Sequence, residues 1–170
     1  QYLEDRRLKG FNTILVNLIE HEFANNAPLN RYGQGPFTTP GDFATPNESY
    51  FAHADYVIGK AAEKALLVML APAYAGSGGG SQGWWQEMQA NGASKLRAYG
   101  QYLGNRYRGY SNILWVHGGD YNVPDKTLVR ALVNGIRDVE TVSLHTYHGS
   151  RGTGALEFFG TAEPWLTVSN

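Results

Sequence analysis

Short apolar runs rich in β-branched residues alternate with longer segments of helical periodicity along the chain. These runs predict five strands, at residues 12–18, 66–72, 112–117, 142–147 and, from a shorter run, 165–168. They are almost continuously apolar, which is typical of parallel strands covered on both faces. Strands of this kind alternating with helices indicate βαβ units, so the sequence predicts an α/β fold on a parallel sheet.

The segments between the predicted strands carry helix signals. Thr45-Pro46-Asn47-Glu48 has the pattern of a capping box with proline at the first helical position, which predicts a helix over about residues 46–65. Apolar residues at helical spacing predict further helices through residues 96–107 and 128–136, and Asp125 is placed to cap the last one. Each predicted helix leads into the next strand.

Two long loops, residues 19–45 and 73–92, follow predicted strand ends. In α/β folds such loops build the functional sites. The second loop holds the glycine-rich run 76–81, which lacks the Lys-Ser/Thr ending of a phosphate-binding P-loop and does not open a helix directly. The pattern favours a flexible loop over a phosphate cradle.

Charge and cysteine content exclude several classes of function. The chain has 14 basic and 15 acidic side chains, a net charge of −1 and no cysteine. We therefore expect no nucleic-acid partner, no thiolate nucleophile and no zinc site built on sulfur. No apolar run approaches the roughly 20 residues that span a bilayer, so no membrane partner is expected.

The segment from Asn112 to Asn122 is the sharpest candidate for catalytic chemistry. An apolar strand is followed by Gly118 and Gly119, which allow a tight turn, and then by Asp120. This order places a carboxylate at the carboxyl edge of a parallel sheet. A Gly-Gly-Asp turn in which Asp120 merely caps a loop gives the same pattern and remains open.

Histidines follow the ends of the predicted strands: His117, His145 and His148 on two neighbouring strands, and His21 beside Glu20 on another. A divalent metal on this rim is one hypothesis, but the spacing matches no ligand motif. Histidines that orient a substrate or brace a carboxylate are favoured. A serine nucleophile is not, because no Gly-x-Ser-x-Gly elbow follows any strand.

Several stretches together carry a resemblance to a known family: Tyr2 to Arg7, Lys9 to Asn12, Val16 to His21, Pro46 to Glu48, Tyr50 to Asp55, Leu70 to Tyr74, Gly83 to Met88, Arg97 to Gly100, Trp115 to Asp120, and Glu163 to Trp165. In these the chain resembles the apiosidase-like glycoside hydrolases. The resemblance covers nearly the whole chain, and the motif around Asp120 is its most specific part.

The resemblance implies a (β/α)8 barrel related to the large clan of retaining glycosidases. It assigns the acid/base role to Asp120, because Gly119-Asp120 stands where related enzymes carry Asn-Glu at the end of the fourth strand. It places Gln1 in the first helix and Asn170 at the end of the sixth strand, so residues 1–170 are expected to be part of one catalytic barrel domain, about strands two to six. The nucleophile glutamate, from the end of the seventh strand, is then expected outside this chain. Glu20, Glu157 and Glu163 are less suitable internal candidates.

The resulting hypothesis is a retaining, exo-acting glycosidase that removes apiose or similar side chains from an oligo- or polysaccharide, without a cofactor or metal. The resemblance further implies a secreted or periplasmic bacterial protein. A carbohydrate-binding barrel without turnover and a metal-dependent hydrolase that uses the rim histidines are the alternatives. The predicted sugar pocket consists of residues at strand ends and adjoining loops, where tyrosine and tryptophan suit stacking on sugar rings: Asn17, Glu20, His21, Tyr74, Trp84, Trp85, His117, Tyr121, Asn122, His145 and His148.

Overall fold

A computed structural model of the chain describes residues 1–169, in which strands and helices alternate. The strands are β1 (Thr13–Asn17), β2 (Leu67–Ala71), β3 (Ile113–Gly118) and β4 (Leu144–His148). The helices are α1 (Tyr2–Leu8), α2 (Glu48–Ala62), α3 (Trp85–Tyr107), α4 (Lys126–Arg137) and α5 (Ala155–Phe159). Within these residues no helix is both long enough and apolar enough to cross a lipid bilayer.

The four strands form one parallel sheet in the order β1-β2-β3-β4, so each helical connection leads to the neighbouring strand. Leu15, Met69, Leu114 and Leu144 lie opposite one another in register and make an aliphatic row across the sheet. Leu15 and Leu144, at the two edges, are 61% and 49% exposed. The sheet is therefore open, with β1 and β4 as unpaired edges within the part of the chain described.

Helix starts follow local capping chemistry. Asn47 caps α2, because its side chain accepts a hydrogen bond from the Ser49 amide, so the helix begins two residues later than the Thr45 capping box predicts. The helix ends at Ala62, before Ala65 adopts a positive φ of 54° and turns the chain into β2. Asp125 caps α4 as predicted, by accepting from the Thr127 amide.

The fifth predicted strand, residues 165–168, is not formed. The amides of Thr167 and Val168 both donate to the carbonyl of His145, while the His145 amide donates to the Thr167 side chain instead of a backbone carbonyl. The segment thus lies along β4 without forming a regular hydrogen-bond ladder, because the Thr167 hydroxyl, rather than a backbone carbonyl, accepts from the His145 amide. Asn170, which the resemblance places at the end of the sixth strand, lies outside the described residues.

Helices α3 and α4 pack closely through glycines. A Cβ atom on Gly100 would lie 2.2 Å from the carbonyl oxygen of Leu132, and one on Gly135 would lie 2.1 Å from that of Arg97. Only glycine permits this approach. The helices cover one side of the sheet, and the core between them contains the large buried side chains Trp115, Tyr99, Tyr107 and Tyr147. The opposite side of the sheet carries the aliphatic row of Leu15, Met69, Leu114 and Leu144.

Candidate active site

The turn after β3 presents Asp120 at the carboxyl edge of the sheet. Gly118, Gly119 and Asp120 all have positive φ, at 80°, 131° and 47°. A Cβ on Gly119 would lie 2.1 Å from the Tyr74 ring, so a side chain cannot be accommodated there. Asp120 itself is a non-glycine residue in the left-handed region, a conformation that costs free energy and that clusters at functional sites.

Two side chains flank the Asp120 carboxylate. The Tyr74 hydroxyl donates to Oδ2 at 2.7 Å, and Nε2 of His148 lies 3.3 Å from Oδ1. The Asp120 side chain is 52% exposed, so it remains open to solvent and to a ligand. Partial burial, together with the hydrogen bond to Asp120, raises the pKa of Tyr74 to about 12. Tyr74 therefore stays a neutral hydrogen-bond donor at physiological pH.

Asp120 and His148 line two cavities. The inner cavity, about 260 Å³, lies over the sheet and is lined by Asn17, Phe23, Tyr74 and Val116 among others. The outer cavity, about 380 Å³, is formed with the loop 149–153. Complete ligand pockets usually have volumes of roughly 300 to 1,000 Å³. The inner cavity is slightly smaller than that range.

Asn17 and Glu20 were both predicted to bind sugar, and the structure separates their roles. Asn17 lines the inner cavity and donates to Oε2 of Glu20 at 3.0 Å. Oε1 of Glu20 accepts three backbone amides, those of residues 21–23. Partial burial acts to raise the pKa of Glu20, but these hydrogen bonds outweigh it and lower the pKa below its ordinary value. Glu20 thus serves as an ionised brace of the loop.

His21 points away from Asp120. Its Nε2 lies 3.0 Å from Oε1 of Glu87, and its ring packs edge-on against Trp84. These three residues line a separate cavity of about 430 Å³ under the loop 28–41. Neither Asp120 nor His148 lines this cavity, so His21 is not brought to the carboxylate.

The two tryptophans predicted to stack on sugar are core residues instead. Trp84 and Trp85 are each 3% exposed. Trp84 donates its indole N–H to the carbonyl of Ile19 and packs edge-on against Phe37, while Trp85 packs against Tyr121. The glycine-rich run preceding them forms a short 3-10 turn, in which Gly79 lies close to the Trp85 ring.

His117 and His145 also lie in the interior rather than in the sugar pocket. Both are 1% exposed, their rings are nearly parallel, and Nε2 of His117 is 3.0 Å from Nδ1 of His145. Trp165 packs edge-on against His117. Burial holds the pKa of His117 well below its ordinary value and lowers the pKa of His145 to about 4. The pair is therefore neutral at physiological pH, and its burial contradicts the predicted contact with sugar.

Tyr121 and Asn122 hold the loops around the site in place. The Tyr121 carbonyl accepts a hydrogen bond from the Tyr147 hydroxyl at 2.6 Å. Asn122 exchanges two hydrogen bonds with Ser150, each 3.0 Å long, and so ties the turn after β3 to the loop after β4. The side chain of Asn122 is thus used within the protein, while the contact of the half-buried Tyr121 side chain with sugar stays a prediction.

Two residues at the site were not predicted. Phe23 is 61% exposed, lines the inner cavity and packs edge-on against Tyr74. Arg151 lines the outer cavity beside Asp120. Phe23 follows Glu20 and His21, and Arg151 follows His148, so nearness to predicted site residues was the available signal.

Asp120 is the one carboxylate that lines either cavity within residues 1–169. Glu163 is held by Arg130 and by the indole of Trp165, and Glu157 accepts from the Gly154 amide at the start of α5. In the same residues, no three histidine or acidic side chains are grouped closely enough to hold a metal ion. His117 and His145 lie in the interior, His21 lines the cavity under the loop 28–41, and His53 lies on α2. His148 lies beside Asp120 at the carboxyl edge of the sheet, and we call the region around these two residues the mouth.

The chain is similar to solved structures of glycoside hydrolases. A glycoside hydrolase family 5 protein from Bacteroides vulgatus matches with a TM-score of 0.80 and 26% identity, over 99% of this chain and 35% of its own. A second protein, described as a glycoside hydrolase, matches with a TM-score of 0.78 and 29% identity, over 99% of this chain and 36% of its own. Thermotoga maritima Cel5A in complex with mannotriose shares the fold with a TM-score of 0.64 and 15% identity, over 96% of this chain and 49% of its own. No curated protein matches the sequence.

The chain thus spans about a third to a half of the length of these barrel proteins, which confirms the predicted partial (β/α)8 barrel. The family model described as Apiosidase-like, catalytic domain, matches residues 1–169. With Asp120 at the end of β3 and the open parallel sheet in place, the chain belongs to the Apiosidase-like catalytic domain family.

Proposed function

We propose that the intact protein is a glycoside hydrolase in which Asp120 is the general acid/base. The observation that carries this proposal is the position of Asp120. It is the one carboxylate at the two cavities in the described part of the chain, it lies at the carboxyl end of a parallel strand, and it is half exposed. Active sites of (β/α)8 enzymes occupy this end of the barrel.

Glycoside hydrolysis by retention uses two carboxyl groups about 5 to 5.5 Å apart. In the proposed mechanism Asp120 protonates the glycosidic oxygen while a second carboxylate attacks the anomeric carbon. Asp120 then removes a proton from the water that releases the sugar. The engagement of Glu20, Glu157 and Glu163 in local hydrogen bonds supports a second carboxylate that comes from another part of the intact barrel.

The two cavities suggest how a substrate is arranged. The inner cavity, with the exposed ring of Phe23 and the amide of Asn17, suits the sugar that is released, because an aromatic edge and a hydrogen-bonding group fit its C–H and O–H groups. The outer cavity then receives the leaving group. An exo-acting removal of apiose or a similar side chain from an oligo- or polysaccharide follows the family's name, and the mannotriose bound to Thermotoga maritima Cel5A supports a saccharide ligand.

The proposed chemistry uses side chains alone, without a cofactor or a metal ion. A secreted or periplasmic location in a bacterium is likewise proposed, because a polysaccharide substrate lies outside the cell.

The decisive test is Asp120→Asn in the intact enzyme, assayed on two sets of substrates. Turnover should fall by about 10²- to 10⁴-fold on glycosides with poor leaving groups and much less on aryl glycosides, because a good leaving group needs little protonation. Asp138→Asn is the matched control, since that carboxylate pairs with Arg97 on the α3–α4 surface and should leave both rates unchanged.

Equal losses on both sets of substrates would exclude the acid/base assignment. An intact protein that binds oligosaccharides but hydrolyses none would instead support the carbohydrate-binding alternative.

A further inference from the structure

The segment that follows β1 is held by partners from β2, from α2 and from the residue before α3. The Leu18 amide donates to the carbonyl of Ala71 at 2.9 Å, and the Leu18 carbonyl accepts the buried Tyr50 hydroxyl at 3.1 Å. The Ile19 carbonyl accepts the indole N–H of Trp84 at 3.3 Å. Because these partners belong to the sheet and the core, the base of the loop after β1 is well ordered.

The Glu20 carboxylate holds the next residues of this loop. Its Oε1 accepts three consecutive backbone amides, those of His21, Glu22 and Phe23, at 2.8, 3.0 and 3.1 Å. Partial burial acts to raise the pKa of Glu20, but its hydrogen bonds outweigh burial and lower the pKa, so the side chain is ionised at neutral pH. Hydrogen bonds to an ionised acceptor are about twice as strong as those between neutral groups.

The other oxygen of Glu20 orients the side chain of Asn17. Oε2 accepts from Nδ2 of Asn17 at 3.0 Å. Since an ionised carboxylate cannot donate, the Asn17 amide turns Nδ2 toward Glu20, and Oδ1 is left to accept from a ligand. Asn17 lies at the end of β1 and lines the inner cavity. Glu20 therefore sets which atom of Asn17 is available as an acceptor.

Phe23 lines the same cavity and depends on its backbone for its position. It is 61% exposed, and its ring packs edge-on against Tyr74, whose hydroxyl donates to Asp120. A ring that is so exposed is held only weakly by its own packing. The Phe23 amide, however, donates to Glu20. Glu20 thus contacts two residues that line the inner cavity, Asn17 and Phe23.

We propose that Glu20 is a positioning residue for the sugar subsite, where it holds Phe23 as an aromatic wall and Asn17 as a hydrogen-bond acceptor. This role deepens the proposed function and rests on it. The sugar that fits has an apolar C–H face against the Phe23 ring and a hydroxyl group that donates to Oδ1 of Asn17. Because both residues are in place before substrate arrives, little ordering is needed on binding. Glu20 was predicted to bind sugar, and in this proposal it acts through its two neighbours.

The test compares two replacements of Glu20 in the intact enzyme. Glutamine keeps one acceptor oxygen for the three amides, but its NH2 group cannot accept from Asn17, so Glu20→Gln should disturb Asn17 and leave Phe23 in place. Alanine removes both acceptors, so Glu20→Ala should release both residues. We expect kcat/KM to fall about fivefold in Glu20→Gln and about 30-fold or more in Glu20→Ala.

These losses should be the same on glycosides with poor leaving groups and on aryl glycosides, because the subsite contacts the released sugar in every substrate. Asp120→Asn is expected to distinguish the two sets, so the variants report on different steps. Glu22→Ala is the matched control: that side chain is exposed on the same loop, and its removal should leave both rates unchanged.

A double-mutant cycle separates positioning from a general loss of stability. Phe23→Ala should lower kcat/KM about tenfold in the wild type and by a similar factor in Glu20→Gln. In Glu20→Ala it should cost less than about threefold, because the ring has already lost its position. Full additivity of Phe23→Ala and Glu20→Ala would overturn the positioning role.

Hydrogen–deuterium exchange of the amides of residues 21–23 tests the same role without turnover. Exchange should be faster in Glu20→Ala and close to the wild-type rate in Glu20→Gln and Glu22→Ala, because only alanine removes the acceptor of these amides. Unchanged exchange in Glu20→Ala would also overturn the proposal.

The two proposals fail in different ways. If Asp120→Asn shows no dependence on the leaving group, the acid/base function falls, while the exchange data and the cycle still decide whether Glu20 positions Phe23. If that dependence is preserved but Glu20→Ala and Phe23→Ala are additive, the role of Glu20 alone is overturned.

Discussion

Strand β3 with the turn that follows it, and strand β4, bring two pairs of side chains together, three residues apart along the chain. His117 and His145 approach to 3.0 Å and are both 1% exposed. Asp120 and His148 approach to 3.3 Å, and their side chains are 52% and 41% exposed. The same parallel pairing of strands thus produces one pair inside the protein and one at its mouth.

Solvent decides what each pair can do. Burial disfavours the charged form of both interior histidines, so this pair resists protonation and serves packing. At the mouth, the Asp120 carboxylate and the His148 imidazole are open to solvent. The difference shows that residue type and position near a strand end do not decide whether a histidine lies in the interior or lines a cavity.

The largest expected effect is on the packing beneath the mouth. Trp84→Ala should lower the free energy of unfolding by about 3 to 5 kcal/mol, because the ring is buried against His21, Phe37 and Phe43. Chemical denaturation of the intact enzyme measures this. Phe23→Ala at the exposed mouth is the control and should cost much less. Normal stability with weakened sugar binding in the Trp84 variant would restore the stacking prediction.

Acid should destabilise the interior pair. The pKa of His145 is about 4 in the folded protein and 6.5 in the unfolded chain, so the unfolded state binds the proton first as pH falls. The free energy of unfolding that comes from keeping His145 neutral is present in full above pH 6.5 and is lost as pH falls toward 4. His145 alone accounts for about 3 kcal/mol, at ~1.4 kcal/mol per pKa unit, and His117 acts in the same direction.

Unfolding of the intact enzyme at several pH values tests this expectation. The double variant His117→Leu with His145→Leu should show a shallower loss of stability between pH 6.5 and 4. An identical pH dependence in the two proteins would contradict the buried, neutral state of the pair.

At constant pH near 7.5, the interior pair should behave as a unit. His117→Leu or His145→Leu alone should cost about 1 to 3 kcal/mol, because each leaves the other ring nitrogen buried without its partner. The double variant should recover much of that loss, since replacing both polar partners by apolar groups is nearly neutral. A double-mutant cycle measures the coupling, and strictly additive losses would show that the histidines do not interact.

The smallest effect on stability is expected at the mouth. Tyr74→Phe should change the free energy of unfolding by no more than about 0.5 kcal/mol, because it removes one hydrogen bond to a half-exposed carboxylate and keeps the ring. Activity on substrates with poor leaving groups should nevertheless fall. Thermal unfolding and rate measurements on the same sample separate the two effects, and a large loss of stability would remove the contrast between the regions.

Local patterns in the sequence predicted most of the fold. Each of the four observed strands lies within two residues of its predicted ends, and Asp125 caps α4 as predicted. The prediction failed at residues 165–168, where Thr167 uses its side chain to bind β4. This use of a side chain in place of a backbone acceptor depends on the neighbouring strand, so the local hydrophobic pattern does not reveal it.

The candidate site was predicted less completely. Asp120 was identifiable because two glycines after an apolar strand signal a sharp turn, and this turn does place the carboxylate at the sheet edge. His148 and His145 are indistinguishable by type and by position near a strand end. Only the fold shows that one faces Asp120 and the other faces His117.

The sequence by itself determined the alternation of strands and helices, the turn that carries Asp120, and the resemblance to the family, because each depends on residues close together in the chain. Tertiary structure decided which side chains meet. Tyr74 and His148 reach Asp120 from positions 46 residues before it and 28 residues after it. Packing places four of the predicted site residues in the interior instead: Trp84, Trp85, His117 and His145. Their burial depends on how the layers pack rather than on residue type.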